Sequence, residues 1–238
     1  MSRVLRLSLG SRISLFDGAG GEMEAEIVSL QDDQVKVKIV EIISSGIQNP
    51  TGETSTPLSI ELALPLLKSG KLETVFRMAS ELGVRGFHLF TSEYTVPRPA
   101  PARLEKKYER WRRIILDSVR ISGLRYLPCL SQVQPFEILL PRLTERSTVL
   151  LAHPGEDLAN GQESQLMLPE VFSPGPGRAP GKFQVCLVTG PEGGFTSQEV
   201  KTARDCGVQI CSLGDRILRA ETAPVAATCV ILTRFGEI

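Results

Sequence analysis

Aromatic residues are scarce in this 238-residue chain: one Trp, three Tyr and nine Phe amount to 5% of it. Apolar runs are short as well. None reaches the roughly 18–20 residues that a membrane helix needs, and Met1 to Gly10 holds two arginines but no apolar stretch of secretory-signal length. Histidine is limited to His88 and His153, neither with a carboxylate or cysteine at metal-ligand spacing, so both read as ordinary strand-end histidines and no metal is expected. The five cysteines are odd in number and not tightly paired, which suits reduced thiols in a cytoplasm rather than a disulfide framework. Net charge is absent, with 27 basic residues against 27 acidic, so no global field draws the protein to nucleic acid or membrane. Neither a G-x-S-x-G elbow nor a G-x-x-x-x-G-K-[ST] loop is present, which removes support for a hydrolase or a P-loop nucleotidase.

Against these absences, 42% of the residues are hydrophobic and 23% charged, enough to bury a core. The neutral total conceals a local imbalance. Residues 98–125 hold nine Lys/Arg against three acids, a net +6 that the rest of the chain must cancel. One reading is a solvated helix face laced by pairs such as Glu105 and Glu109 with Arg113; the other is a surface that meets phosphates.

The pattern along the chain changes once. Val4 to Leu7, Ile13 to Phe16, Glu24 to Leu30 and Val35 to Ile43 read as short strands, with turns at Asp17-Gly18 and Asp32-Asp33, as in a small β-barrel or sheet. The polar stretch from Ser44 to Pro57 reads as a linker and a domain boundary. Beyond it, strands at Leu58–Leu64, Gly86–Phe90, Ser147–Ala152, Phe183–Thr189 and Val208–Leu213 alternate with helices. The helices are expected at Lys71–Leu82, Ala102–Ser122 and Pro135–Leu140, then from Thr196 and over Ala223–Phe235. A further short strand is expected near Tyr126, and a long Gly/Pro-rich loop from Gly155 to Gly181. Such alternation predicts an α/β domain with a largely parallel sheet covered on both faces.

Two segments could carry chemistry. From Leu187 to Phe195 (L-V-T-G-P-E-G-G-F) an apolar strand runs into a turn with three glycines, then into a helix opened by the capping box Thr196-x-x-Glu199. Glycines at the carboxyl end of a parallel strand let backbone approach a ligand. From Leu213 to Ala223 (L-G-D-R-I-L-R-A-E-T-A) a second strand end leads into a helix, with Pro224 in its first turn. There Arg219 and Glu221 beside Ile217 and Leu218 read as a positioned ion pair lining an apolar slot.

Together, G-P-E-G-G-F-x-x-x-E and L-G-x-R-I-L-R-A-E-T-A resemble the bacterial 16S rRNA uracil-N3 methyltransferase family, of the SPOUT class of S-adenosylmethionine enzymes. Val4-Leu5-Arg6, Leu15-Phe16-Asp17-Gly18, Glu81-Leu82-Gly83-Val84 and Glu109-Arg110-Trp111 extend the likeness over nearly the whole chain. The resemblance implies a PUA-like β-barrel over residues 1–56 with its linker at 44–57. It further implies a SPOUT-type α/β domain over 57–238 with a C-terminal trefoil knot, a homodimer, and a small-subunit rRNA or assembled-subunit substrate.

The resemblance also implies site residues. S-adenosylmethionine would lie among Leu213, Gly214, Ile217 and Leu218, faced by Thr189, Gly190, Gly193 and Gly194, with Leu151, Ala152 and His153 closing the third side. Arg219 would stabilise charge developing on the uracil, and Glu221 would orient Arg219 or take the N3 proton. Arg6, Arg77, Arg110, Arg113 and Arg125 would meet RNA. The chain departs from the family at Glu93, where an arginine is usual, and at Arg120, Ile121 and Leu124, in place of a polar run. These departures keep two alternatives open: an RNA- or ribosome-binding protein that retains the cofactor without methylating, and a knotted methyltransferase with another RNA target.

Overall fold

The computed structural model describes residues 7–31, 34–44, 58–68, 70–153, 166–168 and 183–238. Most of the expected Val4–Leu7 strand, the Asp32-Asp33 turn, most of the 44–57 linker and most of the 155–181 loop lie outside them. Two compact units emerge: residues 1–55 with 123–127, and residues 56–122 with 128–238.

In the first unit, β1 (Arg12–Phe16), β2 (Glu22–Gln31) and β3 (Gln34–Ser44) form an antiparallel sheet in that order. Ala25 and Ile27 are its buried residues. The β1–β2 turn is held by one carboxylate: Asp17 Oδ1 accepts from the backbone N–H of Ala19 at 2.7 Å and of Gly21 at 2.8 Å. The remainder of the unit comes from far along the chain. Gly20 N–H donates to the Arg125 carbonyl and Leu127 N–H to that of Gly18. The Tyr126 ring covers Gly20 so closely that no Cβ would fit there, and Arg125 pairs with Glu22. Tyr126 thus makes isolated bridges to Gly18 and Ala19 rather than the independent short strand expected around it.

The second unit is a parallel sheet between two layers of helices. Its strands are β4 (Leu58–Pro65), β5 (Gly86–Thr91), β6 (Cys129–Leu130), β7 (Gln134–Pro135), β8 (Thr148–Ala152), β9 (Leu166–Met167), β10 (Phe183–Thr189) and β11 (Gln209–Ser212). Its helices are α1 (Lys71–Glu81), α2 (Pro101–Ser122), α3 (Phe136–Thr144), α4 (Ser197–Asp205) and α5 (Ala223–Phe235). The order across the sheet is β6-β5-β4-β10-β8-β11-β9, with β7 beside β5, and every pairing is parallel.

The two-residue period of a strand builds two cores. On one face Leu58, Ile60, Leu62 and Leu64 of β4 pack with Phe76 of α1, Trp111 of α2 and Ile231 of α5. On the other, Ala63, Phe90, Leu151, Cys186 and Val188 pack with Phe136 and Leu140 of α3 and Val200 of α4. Burial, with a smaller push from the Glu61 carboxylate, holds the Cys186 thiol far above its usual range, which leaves it an inert core residue. Helix α1 ends as its sequence predicts. Gly83 takes φ 81°, and Val84 N–H reaches back to the Ala79 carbonyl at 3.0 Å, the six-to-one bond of a Schellman cap.

What positions a site is the insertion of β10, late in the chain, between β4 and β8. The carboxyl ends of β8, β10 and β11 then lie side by side, with Ala152 in register with both Thr189 and Cys211. Open parallel sheets bind ligands at such ends, where the winding order changes.

Candidate active site

Beyond those three strand ends is a cavity of about 520 Å³, within the range of small-ligand pockets. The 189–195 turn forms one wall. Pro191 to Gly194 closes through Gly194 N–H to the Pro191 carbonyl at 2.9 Å, with Gly194 at φ 74°. A Cβ on Gly190 would stand 3.1 Å from the Phe195 ring, whereas one on Gly194 would meet nothing within 4 Å, because that position faces open space. Residues 212–220 form the opposing wall. Ser212 Oγ accepts from the Gly214 N–H at 3.1 Å and pins the turn at Gly214, which takes φ 107°.

Every expected cofactor residue but one lines this cavity: Ala152, His153, Thr189, Gly190, Gly193, Gly194, Leu213, Gly214, Ile217 and Leu218. Leu151 does not. One residue before Ala152, its side chain points to the opposite face of the sheet and is fully buried among Phe136, Val188 and their neighbours. The two-residue period of the strand separates the two.

The ion pair expected between Arg219 and Glu221 is replaced by another. Glu221 Oε2 is 3.4 Å from Lys71 Nζ, at the start of α1, and the same ammonium is 3.1 Å from Glu192 Oε1. Arg219 also lines the cavity and is exposed, and it forms no ion pair among the described residues. Its carbonyl accepts from the Thr222 and Ala223 N–H groups at 2.8 and 3.0 Å, so the turn into α5 is closed by backbone. Burial alone would raise the Glu192 carboxyl. Hydrogen bonds from its own backbone N–H, from Lys71 and from the Lys68 N–H outweigh this and hold it below the usual carboxylate range. Its folded-state pKa being lowered, the stabilisation it gives is present above the ordinary carboxylate range and is lost as pH falls through the lowered value. Lys71 and Glu192 join the cavity beyond the residues that the sequence points to. The signal for Lys71 is a cation in the first turn of a helix, where the dipole disfavours it.

A buried network supports the glycine turn from behind. Thr196 Oγ1 accepts from the Glu199 N–H, and Glu199 Oε2 accepts in return from the Thr196 N–H at 2.8 Å, completing the expected capping box. Glu199 Oε1 accepts from the Glu93 N–H at 2.9 Å, tying the loop after β5 to the same hub. Glu199→Ala strands these donors and is expected to destabilise the protein by about 1–3 kcal/mol, read as a lowered denaturant midpoint.

Elsewhere, His88 Nε2 pairs with Glu61 Oε2 at 2.9 Å, away from the cavity. No group of three or more His, Cys, Asp or Glu among the described residues could hold a metal ion, and none of their helices is long and apolar enough to cross a membrane.

With this geometry, comparison with known proteins is decisive. The RNA methyltransferase domain family matches residues 54–232, and the RNA methyltransferase PUA domain matches residues 1–40. This chain belongs to the RNA methyltransferase family. A protein of Synechocystis sp. named ribosomal RNA small subunit methyltransferase E is 30% identical over 234 residues, 97% of this chain and 69% of that one. Its namesake in Bacillus subtilis is 29% identical over 228 residues, 96% and 84% of the two chains. The crystal structure of a ribosomal RNA small subunit methyltransferase E from Neisseria gonorrhoeae, bound to S-adenosyl methionine, superposes with a TM-score of 0.77 at 27% identity. The likeness covers 98% of this chain and 86% of that one.

The departures from the family pattern fall where side chains bear little structure. Glu93 uses its backbone N–H and leaves its side chain exposed, Arg120 pairs with Asp117 at 3.7 Å, and Ile121 is 82% exposed. Of the arginines expected at RNA, Arg6 lies outside the described residues. Arg77 on α1 and Arg110 and Arg113 on α2 are exposed, and Arg110 is tied to Glu73 at 3.2 Å. Arg125 belongs to the N-terminal unit, where it pairs with Glu22. The ion pairs that form along α2 are Arg112–Glu105 and Arg120–Asp117.

Proposed function

We propose that this protein methylates N3 of a specific uridine in small-subunit ribosomal RNA, with S-adenosylmethionine as methyl donor. The observation that carries the reading is the wall of the cavity at Thr189. Its hydroxyl is buried and has no hydrogen-bond partner among the described residues, at a strand end followed directly by the glycine turn. A buried polar atom without a partner is costly, and a polar ligand edge would satisfy it. Gly190, Gly194 and Gly214 leave room for backbone N–H and C=O groups to reach that edge, while Leu213, Ile217 and Leu218 supply apolar surface for a planar ring. Ile217, 86% exposed at the cavity, offers apolar surface that a ligand would cover. The residues present therefore fit S-adenosylmethionine, held by Thr189 to Gly194 on one side and Leu213 to Leu218 on the other, with Ala152 and His153 at the third.

When bound, S-adenosylmethionine supplies an electrophilic methyl group on a sulfonium. The chain's task is alignment and charge. A neutral imide N3 has no available lone pair, so its proton must leave as the N–C bond forms. Arg219, at the cavity and without an ion pair among the described residues, stabilises the negative charge that spreads onto the uracil carbonyls. Glu221 faces the Lys71 ammonium at 3.4 Å. Its part is to anchor the turn that presents Arg219, and the N3 proton passes to water.

The proposal includes the homodimer, the trefoil knot and the cytoplasmic setting that the family resemblance implies. RNA contact would run over α2, where the net positive charge lies. Binding of small-subunit rRNA is then expected to weaken steeply with salt. Arg113→Ala should lower the slope of log affinity against log salt by about one, and Arg110→Ala by less, since Glu73 already shares that guanidinium. Titrations at several salt concentrations measure both.

The test of the whole reading uses labelled S-adenosylmethionine with small ribosomal subunits from cells lacking this activity, followed by nucleoside identification. Label in N3-methyluridine at one position is the expected result. Label in another nucleoside, or none, overturns it.

A further inference from the structure

We propose that Lys71 is a positioning residue of the methyl-transfer site: its ammonium, shared between Glu192 and Glu221, ties both walls of the cavity to α1 and keeps Glu221 off Arg219. The inference rests on the function proposed above.

Lysine at the first residue of α1 needs an explanation. The positive end of the helix dipole disfavours a cation there, and the preceding Gly70 is left-handed at φ 72° and offers no side-chain cap. What offsets this is a pair of carboxylates from two separate loops. Glu192, in the middle of the glycine turn, accepts from Lys71 Nζ at 3.1 Å and from the Lys68 N–H at 3.3 Å. Glu221, in the turn before α5, is 3.4 Å from the same nitrogen. Each loop lines one side of the cavity, and Lys71 lines it as well.

The consequence for Arg219 follows from spacing. Glu221 Oε2 is buried and makes no hydrogen bond among the described residues, so the Lys71 ammonium is the charge that holds it. Without that ammonium the carboxylate has no partner among the described residues, and Arg219, two residues earlier on the same turn and also at the cavity, is a cation open to it. An Arg219–Glu221 pair would neutralise the guanidinium that must face the uracil carbonyls. Lys71 itself does not move protons in the neutral range, because its hydrogen bond to Glu192 holds its pKa above the usual lysine value. Its contribution is charge and tether.

Full-length Lys71→Met and Lys71→Arg proteins test this with two readouts. Amide hydrogen exchange over 213–222, without added S-adenosylmethionine, should quicken by about tenfold in Lys71→Met and stay near wild type in Lys71→Arg. On small ribosomal subunits at saturating donor, Lys71→Met should lower kcat by about 10- to 100-fold. Lys71→Arg should recover most of it, and adding Glu221→Gln to Lys71→Met should recover part, because the guanidinium is then free again. Unchanged exchange in Lys71→Met, or a kcat that neither Lys71→Arg nor the double variant improves, overturns the proposal. If exchange responds but the wild type labels no subunit, the tether stands and the proposed function falls. If the wild type labels subunits and exchange does not respond, the tether alone falls.

Discussion

Arg219→Ala is expected to slow methyl transfer to small-subunit rRNA by about 10²- to 10³-fold, the loss typical of removing one donor aimed at developing charge. The expectation rests on three observations. Arg219 lines the cavity, it is exposed, and Glu221 is held by Lys71 instead of by Arg219. Removing the guanidinium therefore strands no buried carboxylate, and the folded protein should keep its thermal midpoint. Affinity for S-adenosylmethionine should change little, since apolar groups and backbone make that wall. Single-turnover transfer from labelled donor, with calorimetric titration of the donor alongside, separates the two. A fall in donor affinity that matches the fall in rate would mean that Arg219 holds the donor and not the reacting uracil.

The second large effect is expected at Gly194. Valine there would suffer twice. The backbone is at φ 74°, a left-handed conformation that costs an ordinary residue about 1–2 kcal/mol, and β-branching makes it worse. Its side chain would also project into space that no protein atom occupies within 4 Å, on the cavity wall. S-adenosylmethionine affinity should fall by at least about 100-fold, which corresponds to about 2.7 kcal/mol. Gly207 supplies the control. It stands at φ 79° between α4 and β11, away from the cavity and with nothing within 4 Å of a Cβ. Gly207→Val therefore carries the backbone strain alone. Titration of both variants should show loss of affinity only in Gly194→Val; equal behaviour would move the donor away from the glycine turn.

Much of this protein is legible from residues alone because local signals and tertiary packing agree. The helix over Ala223–Phe235, the strand over Phe183–Thr189 and the Thr196–Glu199 capping box are each where pattern and cap chemistry place them. Both loops of the cavity are visible as glycine-rich strand ends. What stays hidden depends on contacts between distant segments. Lys71 looks like one more lysine on an amphipathic helix until the fold brings Glu192 and Glu221 to it. Leu151 looks like part of the wall until the register of β8 turns it into the opposite core. The strand β9, at Leu166–Met167 within a stretch that reads as loop, pairs with β11 through only two residues, too few to produce any periodicity. The expected Arg219–Glu221 pair is absent for the same reason: closeness in sequence does not make a partnership, and Glu221 meets Lys71 at the start of another helix.

The short return segment Gly123–Leu127 bears on how this protein can be taken apart. The chain enters the N-terminal unit's contacts, leaves near residue 55, comes back for five residues and leaves again. Three covalent passages join the two units where a simple tandem arrangement would have one. A fragment ending at the linker would lose Tyr126 over Gly20 and leave the Glu22 carboxylate, with its buried oxygen, without Arg125. The small β unit is therefore not a portable module. It cannot be exchanged for another β domain by a single recombination at its boundary, because part of its own structure is encoded about seventy residues downstream, between α2 and β6.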